Sequence, residues 1–416
     1  MNQSIKRIGV SLLGIAMLTA SCQGKEGYQF SPRLSSQEQI TLNVAGFFGN
    51  FEALDAVTNA FSDVYPNVQF DYQQVGGAQL LPFLKENANN DIFMTSSDLV
   101  SNPEFLDKCL NLNEADVNLS DVSDKMLKGC TSGDKLYSLP IGQNVYGIIT
   151  NVALLKKEGL EVPSTLSEFE NCLSVLKGKG YTPIQGPESK VYAELTYNWM
   201  CAELLEDQKD GTVSKECFEP IFDKIQDYID KGYISHEVNA LYPYDNYNDA
   251  ILRFFDGEVP FWVCNSEKVS GMKKRESKSD KFKLSPFEYT YIYAPMGEKG
   301  VYAYTEPWVG FAVNKDSKRL DYAKEFLRFF AGRERLDMMA ETKGIPTASV
   351  SGTADKRYEH IIHPQKVQED IVQDGTFFSS DNAAWYECVN NFASGKLTKE
   401  QALSSLVEKI NSAHQK

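Results

Sequence analysis

Residues that could carry out catalysis are present in this sequence, but their spacing does not match catalytic motifs. His236-Glu237 begins a zinc-protease pattern, yet Ala240 stands where the second His is required. His360 and His363 precede Pro364 and are typical of a surface helix end rather than a metal site. The sequence has no G-x-S-x-G nucleophile turn and no phosphate-binding G-x-x-x-x-G-K-[ST] loop.

These gaps predict a protein without catalytic residues, cofactor or metal. The four histidines also leave few groups that could act as a general base near neutral pH. A pair of carboxylates for glycoside hydrolysis stays possible, because the chain has 57 acidic residues and the sequence cannot say which of them meet.

The first residues indicate export from the cytoplasm. Lys6 and Arg7 precede an apolar stretch from Ile8 to Leu18. This stretch is short for a membrane span and typical of a secretion signal. We therefore expect residues 1–21 to be a signal peptide.

The segment around Cys22 resembles a lipobox, in which cleavage occurs before a cysteine that then carries a lipid. Small residues at Ala20 and Ser21 fit this motif, whereas Thr19 stands where Leu is more usual. We expect lipidation of Cys22, a polar tether over residues 22–37 and a location outside the cytoplasm at the cell membrane. Ordinary cleavage with an unmodified Cys22 is the alternative.

The remaining cysteines contain no C-x-x-C pair, which disfavours a zinc or redox site. Their number is odd, so at least one thiol stays unpaired in a monomer, and in a chain of 416 residues such cysteines are more often buried apolar residues. Whether any disulfide forms stays open. They are Cys109, Cys130, Cys172, Cys201, Cys217, Cys264 and Cys388.

The net charge of −15 argues against nucleic acid as a partner, and it leaves the predicted lipid as the only membrane contact. Hydrophobic residues make up 42% of the chain and aromatic residues 12%, so the protein is globular and rich in rings. Such rings either fill large cores or line a binding groove.

Hydrophobic periodicity predicts an α/β fold. Ile40, Leu42 and Val44 alternate as in a strand, and the spacing from Leu54 to Val64 is helical. Further strand and helix patterns alternate along the chain, which predicts a mostly parallel sheet covered by helices. Thr165 and Glu168 form a capping box at the start of one helix, and Thr398 and Gln401 cap the last one. The helical pattern from Asp321 to Arg335 predicts one continuous helix.

The order of several short segments resembles the extracellular solute-binding proteins of family 1, which include maltose-binding proteins. The resemblance extends from about residue 39 to the C-terminus, and the ordered set carries it rather than any one motif. The segments are Phe61–Val68, Asn90–Phe93, Asp134–Pro140, Gly147–Asn151, Val162–Phe169, Ala250–Glu258, Pro307–Asn314, Ala323–Phe330, Gly344–Thr347 and Ser394–Thr398.

This resemblance implies a two-lobed periplasmic-binding-protein-like fold of type II, with a ligand cleft between the lobes and three hinge crossings. The first lobe would comprise residues 38–146 and 309–346, and the second residues 147–308 and 347–416. The crossings would lie near Val145–Ile148, Trp308–Phe311 and Ile345–Ser349.

The family also implies a carbohydrate ligand, capture by hinge closure, and delivery to the permease subunits of an ABC importer by a monomer. Sugars need rings for stacking and amides or carboxylates for hydrogen bonds, and Phe47 and Phe48 follow the first strand where α/β sheets bind ligands. The expected ligand-binding residues are Phe47, Phe48, Asn144, Tyr146, Tyr192, Glu194, Asn265, Glu306, Trp308 and Trp385. A lipid-anchored glycan-processing enzyme and a binder of a non-sugar solute are the alternatives.

Overall fold

The structure is a computed structural model, and it describes residues 30–414 apart from residues 50–51, 88, 101, 187–189, 209–211, 235–250, 351, 353–354 and 373–378. The predicted signal peptide, Cys22 and the first residues of the predicted tether lie outside the described residues. Within these ranges no helix is both long enough and apolar enough to cross a bilayer.

The strands in chain order are β1 (Ile40–Gly46), β2 (Val68–Gln74), β3 (Ile92–Thr95), β4 (Thr131–Ser132), β5 (Lys135–Leu136), β6 (Leu139–Pro140), β7 (Gln143–Asn144), β8 (Tyr146–Thr150), β9 (Ile184–Gln185), β10 (Phe261–Asn265), β11 (Thr290–Tyr293), β12 (Val301–Pro307), β13 (Gly310–Val313) and β14 (Val367–Val372).

The helices are α1 (Glu52–Val64), α2 (Gly77–Glu86), α3 (Ser97–Val100), α4 (Pro103–Leu106), α5 (Asp124–Lys128), α6 (Val152–Lys157), α7 (Leu166–Gly178), α8 (Val191–Leu195), α9 (Tyr197–Gln208), α10 (Lys215–Asp230), α11 (Leu252–Phe255), α12 (Ser266–Ser270), α13 (Met272–Glu276), α14 (Asp280–Leu284), α15 (Leu320–Phe330), α16 (Arg333–Lys343), α17 (Glu359–Ile362), α18 (Ser379–Ala393) and α19 (Lys399–His414).

These elements form two lobes, each built on its own sheet. The first sheet has the order β2-β1-β3-β13-β6, and the second has the order β11-β8-β10-β9. The mixed α/β fold predicted from the sequence is confirmed, with helices packed against both sheets.

The prediction of mostly parallel strands is correct for β1, β2 and β3 but wrong for the second sheet, where β8 is antiparallel to both β10 and β11. The reason is the path between the lobes. β8 leaves the junction outward, whereas β10 ends there, with Asn265 opposite Tyr146. β13 likewise enters the first lobe from the junction, and it therefore runs antiparallel to β3.

Apolar periodicity correctly located the helices that cover the first sheet. Leu54, Val57 and Phe61 of α1 are buried. The helix predicted over Asp321 to Arg335 is instead two helices, α15 and α16, because Gly332 adopts an extended conformation (φ −69°, ψ 138°) between them. The inward residues predicted for α15, such as Phe326 and Phe330, are fully buried.

Both predicted helix caps are confirmed. The Thr165 hydroxyl accepts a hydrogen bond from the Glu168 amide (3.3 Å), while the Glu168 carboxylate accepts one from the Ser164 amide (2.8 Å). Thr398 and Gln401 cap each other reciprocally at the start of α19. Such pairs satisfy amide donors that have no partner inside the helix.

The last residues of the predicted tether pack against the first lobe. The Phe30 ring lies edge-on to Phe329 at 5.0 Å, and the Arg328 guanidinium lies 4.3 Å from the Phe30 ring centroid. The Arg33 amide donates to the Tyr65 hydroxyl at 2.8 Å. Residues from Phe30 onward therefore contact the first lobe before β1 begins.

Candidate functional site at the junction of the two lobes

Three segments that pass between the lobes lie side by side. Glu306 and Pro307 at the end of β12 pair antiparallel with β7. The Trp308 amide donates to the Gly142 carbonyl (2.9 Å), and the Gln143 amide donates to the Pro346 carbonyl (2.9 Å). Backbone hydrogen bonds thus join the three segments in which the sequence predicts the crossings, and the crossing positions themselves stay predictions.

The predicted lobe boundary after residue 346 stays a prediction, but the hydrogen bonds around it favour a later position. The Ser123 amide donates to the Ala348 carbonyl, and the Val350 amide donates to the Asp121 carbonyl (both 2.9 Å). Both partners belong to the first lobe. Tyr358, in contrast, packs into the core of the second lobe.

Two aromatic rings stack at the junction. Phe48 follows β1, and Trp308 connects β12 with β13; their ring centroids are 5.3 Å apart with an interplanar angle of 29°. The Lys343 ammonium lies 5.0 Å from the Phe48 centroid and 5.3 Å from that of Trp308. Both rings are half-buried, so they combine a packed side with accessible surface.

The first lobe holds this aromatic segment in place through Tyr72. The Phe48 amide donates to the Tyr72 hydroxyl (3.2 Å), which in turn donates to the Phe48 carbonyl (2.8 Å). Burial raises the pKa of Tyr72, so its hydroxyl keeps its proton at neutral pH. Phe47 is half-buried and packs against the first-lobe core.

A buried carboxylate joins two of the segments that cross the junction. The Asn144 amide group donates to one oxygen of Glu306 (2.7 Å), and the Tyr304 hydroxyl donates to the other (2.9 Å). Glu306 is only 7% exposed. Both of its carboxyl oxygens therefore accept hydrogen bonds from donors of β7 and β12, as buried polar atoms require.

Tyrosine rings surround this carboxylate on the side of the second lobe. The ring centroid of Tyr197 lies 4.0 Å from that of Tyr146, 5.7 Å from that of Tyr304 and 6.3 Å from that of Tyr386. Burial is the main cause that raises the pKa of each of these hydroxyls well above its usual value. The cluster thus supplies aromatic faces and neutral hydroxyl groups.

Glu194 lies beside this cluster and differs from Glu306 in having no hydrogen bond among the described residues. It is 9% exposed, and its Oε2 atom is buried without a partner. Burial raises the pKa of its carboxyl to about 8, although the ammonium groups of Lys190 and Lys268 act in the opposite direction.

The other expected ligand-binding residues lie in different surroundings. The Asn265 side chain is half-buried and caps α12, accepting a hydrogen bond from the Lys268 amide at 3.2 Å. Tyr192 and Trp385 are almost fully buried in the second-lobe core. The Trp385 indole donates to the Ala193 carbonyl (3.1 Å), so in this conformation it supports α8 and offers no ring face at the surface.

Sequence reasoning missed several residues of the junction, among them Tyr197, Tyr304 and Lys343. One available signal was the period of two along β12, which puts Tyr302, Tyr304 and Glu306 on the same face of the strand. Tyr197 in α9 and Lys343 in α16 have no such local signal, because those helices reach the junction only through tertiary packing.

The described residues contain no second candidate site built from cysteines or from metal-binding side chains. Each cysteine from Cys109 to Cys388 is a free thiol there, and burial raises the pKa of several of them, including Cys130 and Cys201. The described residues contain no group of three or more His, Cys, Asp or Glu side chains that could hold a metal ion. A cavity of about 1050 Å³ lies elsewhere in the second lobe, lined by Phe282, Tyr289 and Arg357 among others.

Comparisons with known proteins agree with this arrangement. The family model described as bacterial extracellular solute-binding protein matches residues 49–334. A search of curated proteins by sequence gave no significant match.

Solved structures resemble the fold over most of the chain. A binding protein of Bacillus subtilis in an open conformation has a TM-score of 0.72 at 15% identity, covering 92% of this chain and 99% of its own. The GacH receptor of Streptomyces glaucescens, solved unliganded and with acarbose, has a TM-score of 0.68 at 16% identity, covering 91% and 99%. A sugar transporter protein of Bacillus licheniformis in complex with stachyose has a TM-score of 0.64 at 18% identity, covering 89% and 99%.

Proposed function

The chain belongs to the bacterial extracellular solute-binding protein family, and we propose that it captures a carbohydrate, most simply an oligosaccharide, and delivers it to an ABC importer. The observation that carries this proposal is the stacked Phe48–Trp308 pair at the junction of the lobes. Aromatic faces pack against the apolar C–H faces of sugar rings. Similar folds are recorded with stachyose and with acarbose, which supports the same ligand class here.

The polar groups beside the rings suit the hydroxyl-rich side of a sugar. Asn144 and Glu306 belong to the strands that cross between the lobes, and Tyr146 is the first residue of β8. Phe47 and Asn265 would contribute from the two rims. In this proposal Tyr192 and Trp385 act from the core, by holding α8 and the tyrosine cluster in position.

Hinge closure is the mechanism that this geometry favours. The lobes are connected by short strands, so a small change in backbone angles at the crossings can move one lobe relative to the other. A solute that contacts both lobes binds the closed form better and shifts the population towards it. The permease subunits would then recognise the closed form.

A glycan panel measured by thermal shift tests the ligand class. A ligand present at 100 times its Kd stabilises the protein by about 2.7 kcal/mol, which is readily measured as a rise in Tm. The panel should contain neutral oligosaccharides such as maltotriose and stachyose, a cationic glucosamine trimer, and non-sugar solutes. If only a non-sugar solute raises Tm, the carbohydrate proposal is wrong.

The stacking role is tested by Trp308→Ala. Loss of a stacked ring costs about 1.4 kcal/mol, so the affinity for the best panel glycan should fall about tenfold. Phe287→Ala is a matched control, because Phe287 is also a half-buried ring but lies in the second lobe away from the junction. Equal affinities for both variants would contradict the stacking role.

We also propose that the protein is a monomeric receptor rather than an enzyme and that Cys22 carries its lipid anchor. Chromatography of the best glycan after long incubation should return it intact, whereas shorter products would favour the glycosidase alternative. Sedimentation velocity tests the monomer. Incorporation of labelled palmitate into the wild type but not into Cys22→Ser, together with loss of that variant from the membrane fraction, tests the anchor.

A further inference from the structure

Glu194 is a buried acidic group to which the described residues bring no hydrogen-bond donor. It is about nine-tenths buried, its Oε2 atom has no partner, and it makes no hydrogen bond among the described residues. Glu306, at similar burial, has donors at both oxygens. A buried carboxylate without donors is costly, so either a proton or an external donor must stabilise this group.

The groups that face Glu194 are two ammonium groups and several phenols. Lys190 stands one turn before it, and Lys268 reaches it from α12. Tyr146 from β8, Tyr291 from β11 and Tyr386 from α18 lie within electrostatic range.

Two further titratable groups belong to elements packed on α8, the thiols of Cys201 in α9 and Cys264 in β10. The Tyr291 hydroxyl is already engaged, because it donates to the Val145 and Cys264 carbonyls. The Lys190 ammonium lies 5.7 Å from the Tyr386 ring centroid, where the ring face attracts its charge. Burial outweighs both ammonium groups, so the ligand-free protein carries Glu194 with a pKa of about 8 and a proton at neutral pH.

We propose that the solute supplies the missing hydrogen-bond donor to Glu194, and that its capture displaces a proton from this carboxyl. This inference rests on the proposed function and gives Glu194, one of the ligand-binding residues expected from the sequence, a defined specificity-determining role. On binding, the carboxyl O–H bond breaks and the proton passes to solvent. The carboxylate then accepts the solute's donor, whose own O–H or N–H bond stays intact.

The group that donates a hydrogen bond to Glu194 is either a sugar hydroxyl or the ammonium group of an amino sugar. Both stabilise the ionised carboxylate. The ammonium group would do so more strongly, because it adds a full positive charge in a buried setting next to the Tyr146 and Tyr386 rings.

Proton release makes capture depend on pH in a defined direction. If the bound form has a pKa well below 7, the association constant should rise about tenfold per pH unit up to about pH 8 and then level off. Isothermal titration calorimetry at pH 7 in buffers of different ionisation enthalpy should report about one proton released per solute bound. The probes are maltotriose, stachyose and the glucosamine trimer.

Glu194→Gln is the decisive variant, since glutamine matches the protonated carboxyl in size and charge but cannot release a proton. Its binding should show no proton release and no pH slope between pH 6 and 8. Glu387→Gln is the matched control, because Glu387 is an exposed carboxylate of α18 paired with Lys409. It should retain the wild-type proton release.

The outcomes separate the two proposals. Binding by the wild type without proton release, or the same release from Glu194→Gln, overturns the inference and leaves carbohydrate capture standing. If none of these glycans binds, carbohydrate capture and this inference fail together. Proton release seen only with the neutral glycans assigns the donor to a hydroxyl, and tighter binding of the glucosamine trimer at pH 6, with the proton release retained, assigns it to an ammonium group; either result supports the inference.

Discussion

The buried carboxylate of Glu306 offers a direct test of how the junction is held together. The perturbation is Glu306→Gln, which keeps the shape of the side chain but replaces one carboxylate oxygen by an amino group. Both oxygens now accept hydrogen bonds, from the Asn144 amide group and from the Tyr304 hydroxyl. In the variant, the new amide NH2 group either faces the Asn144 amide donor or makes the Tyr304 hydroxyl turn and accept, and in both cases one donor hydrogen loses its acceptor.

The cost follows from the contacts. A buried donor left without an acceptor costs about 1–3 kcal/mol. We therefore expect the free energy of unfolding to fall by about 1–3 kcal/mol. The measurement is equilibrium unfolding in urea followed by tryptophan fluorescence, with the midpoint and slope compared between variants.

Two controls test the expected destabilisation by Glu306→Gln. Glu387→Gln changes an exposed carboxylate and should stay within about 0.5 kcal/mol of the wild type. A double-mutant cycle of Asn144→Ala with Glu306→Gln should give a coupling energy of about 0.5–3 kcal/mol, because the two side chains are in contact. Additive effects, or equal shifts for the Glu306 and Glu387 variants, would refute the reasoning.

Three further predictions concern stability and thiols. Burial raises the pKa of Glu194 from its ordinary value of 4.5 to about 8, so the folded state binds an extra proton and stability should fall as pH rises from about 4.5 to about 8. Thermal unfolding should show this slope in the wild type without added solute and a smaller slope in Glu194→Gln. Gly147→Ala should destabilise the protein by about 1–3 kcal/mol, since the new Cβ would lie 2.2 Å from the Ile292 carbonyl oxygen of the neighbouring strand. Gly178→Ala, whose Cβ would meet nothing within 4 Å, is its control and should be neutral or stabilising in the same urea assay. Finally, each cysteine from Cys109 to Cys388 should react with maleimide in urea without prior reduction, and the buried ones only slowly in the native protein, as counted by mass spectrometry; protection that depends on a reductant would indicate a disulfide.

Local sequence patterns predicted the secondary-structure elements well where the period of apolar residues or a short capping motif is sufficient to define the element. The apolar face of α1 and the caps at Thr165 and Thr398 follow from nearest-neighbour chemistry, and each is found as expected. The break between α15 and α16 was missed, because Gly332 is compatible with either a helix or a turn until packing decides.

Site residues were harder to predict than elements. Among the residues expected at the site, Phe48 stacks on Trp308 and Asn144 is hydrogen-bonded to Glu306, and their role in ligand binding stays a prediction. The expectation for Trp385 followed a local Trp-Tyr pair, and the structure puts its ring in the core while its neighbour Tyr386 joins the tyrosine cluster. Adjacent residues on a helix point about 100° apart, so a pair of letters cannot say which ring faces the junction.

What the sequence by itself determined is the class of the protein: an α/β chain, aromatic-rich and acidic, whose ordered segments identify the solute-binding family. Tertiary structure alone decided how the two buried carboxylates differ. Glu306 and Glu194 are the same residue type at similar burial, yet two crossing strands bring donors to one and none to the other. The energy of a buried charge depends on the polar atoms within hydrogen-bonding distance, and only the fold brings those atoms together.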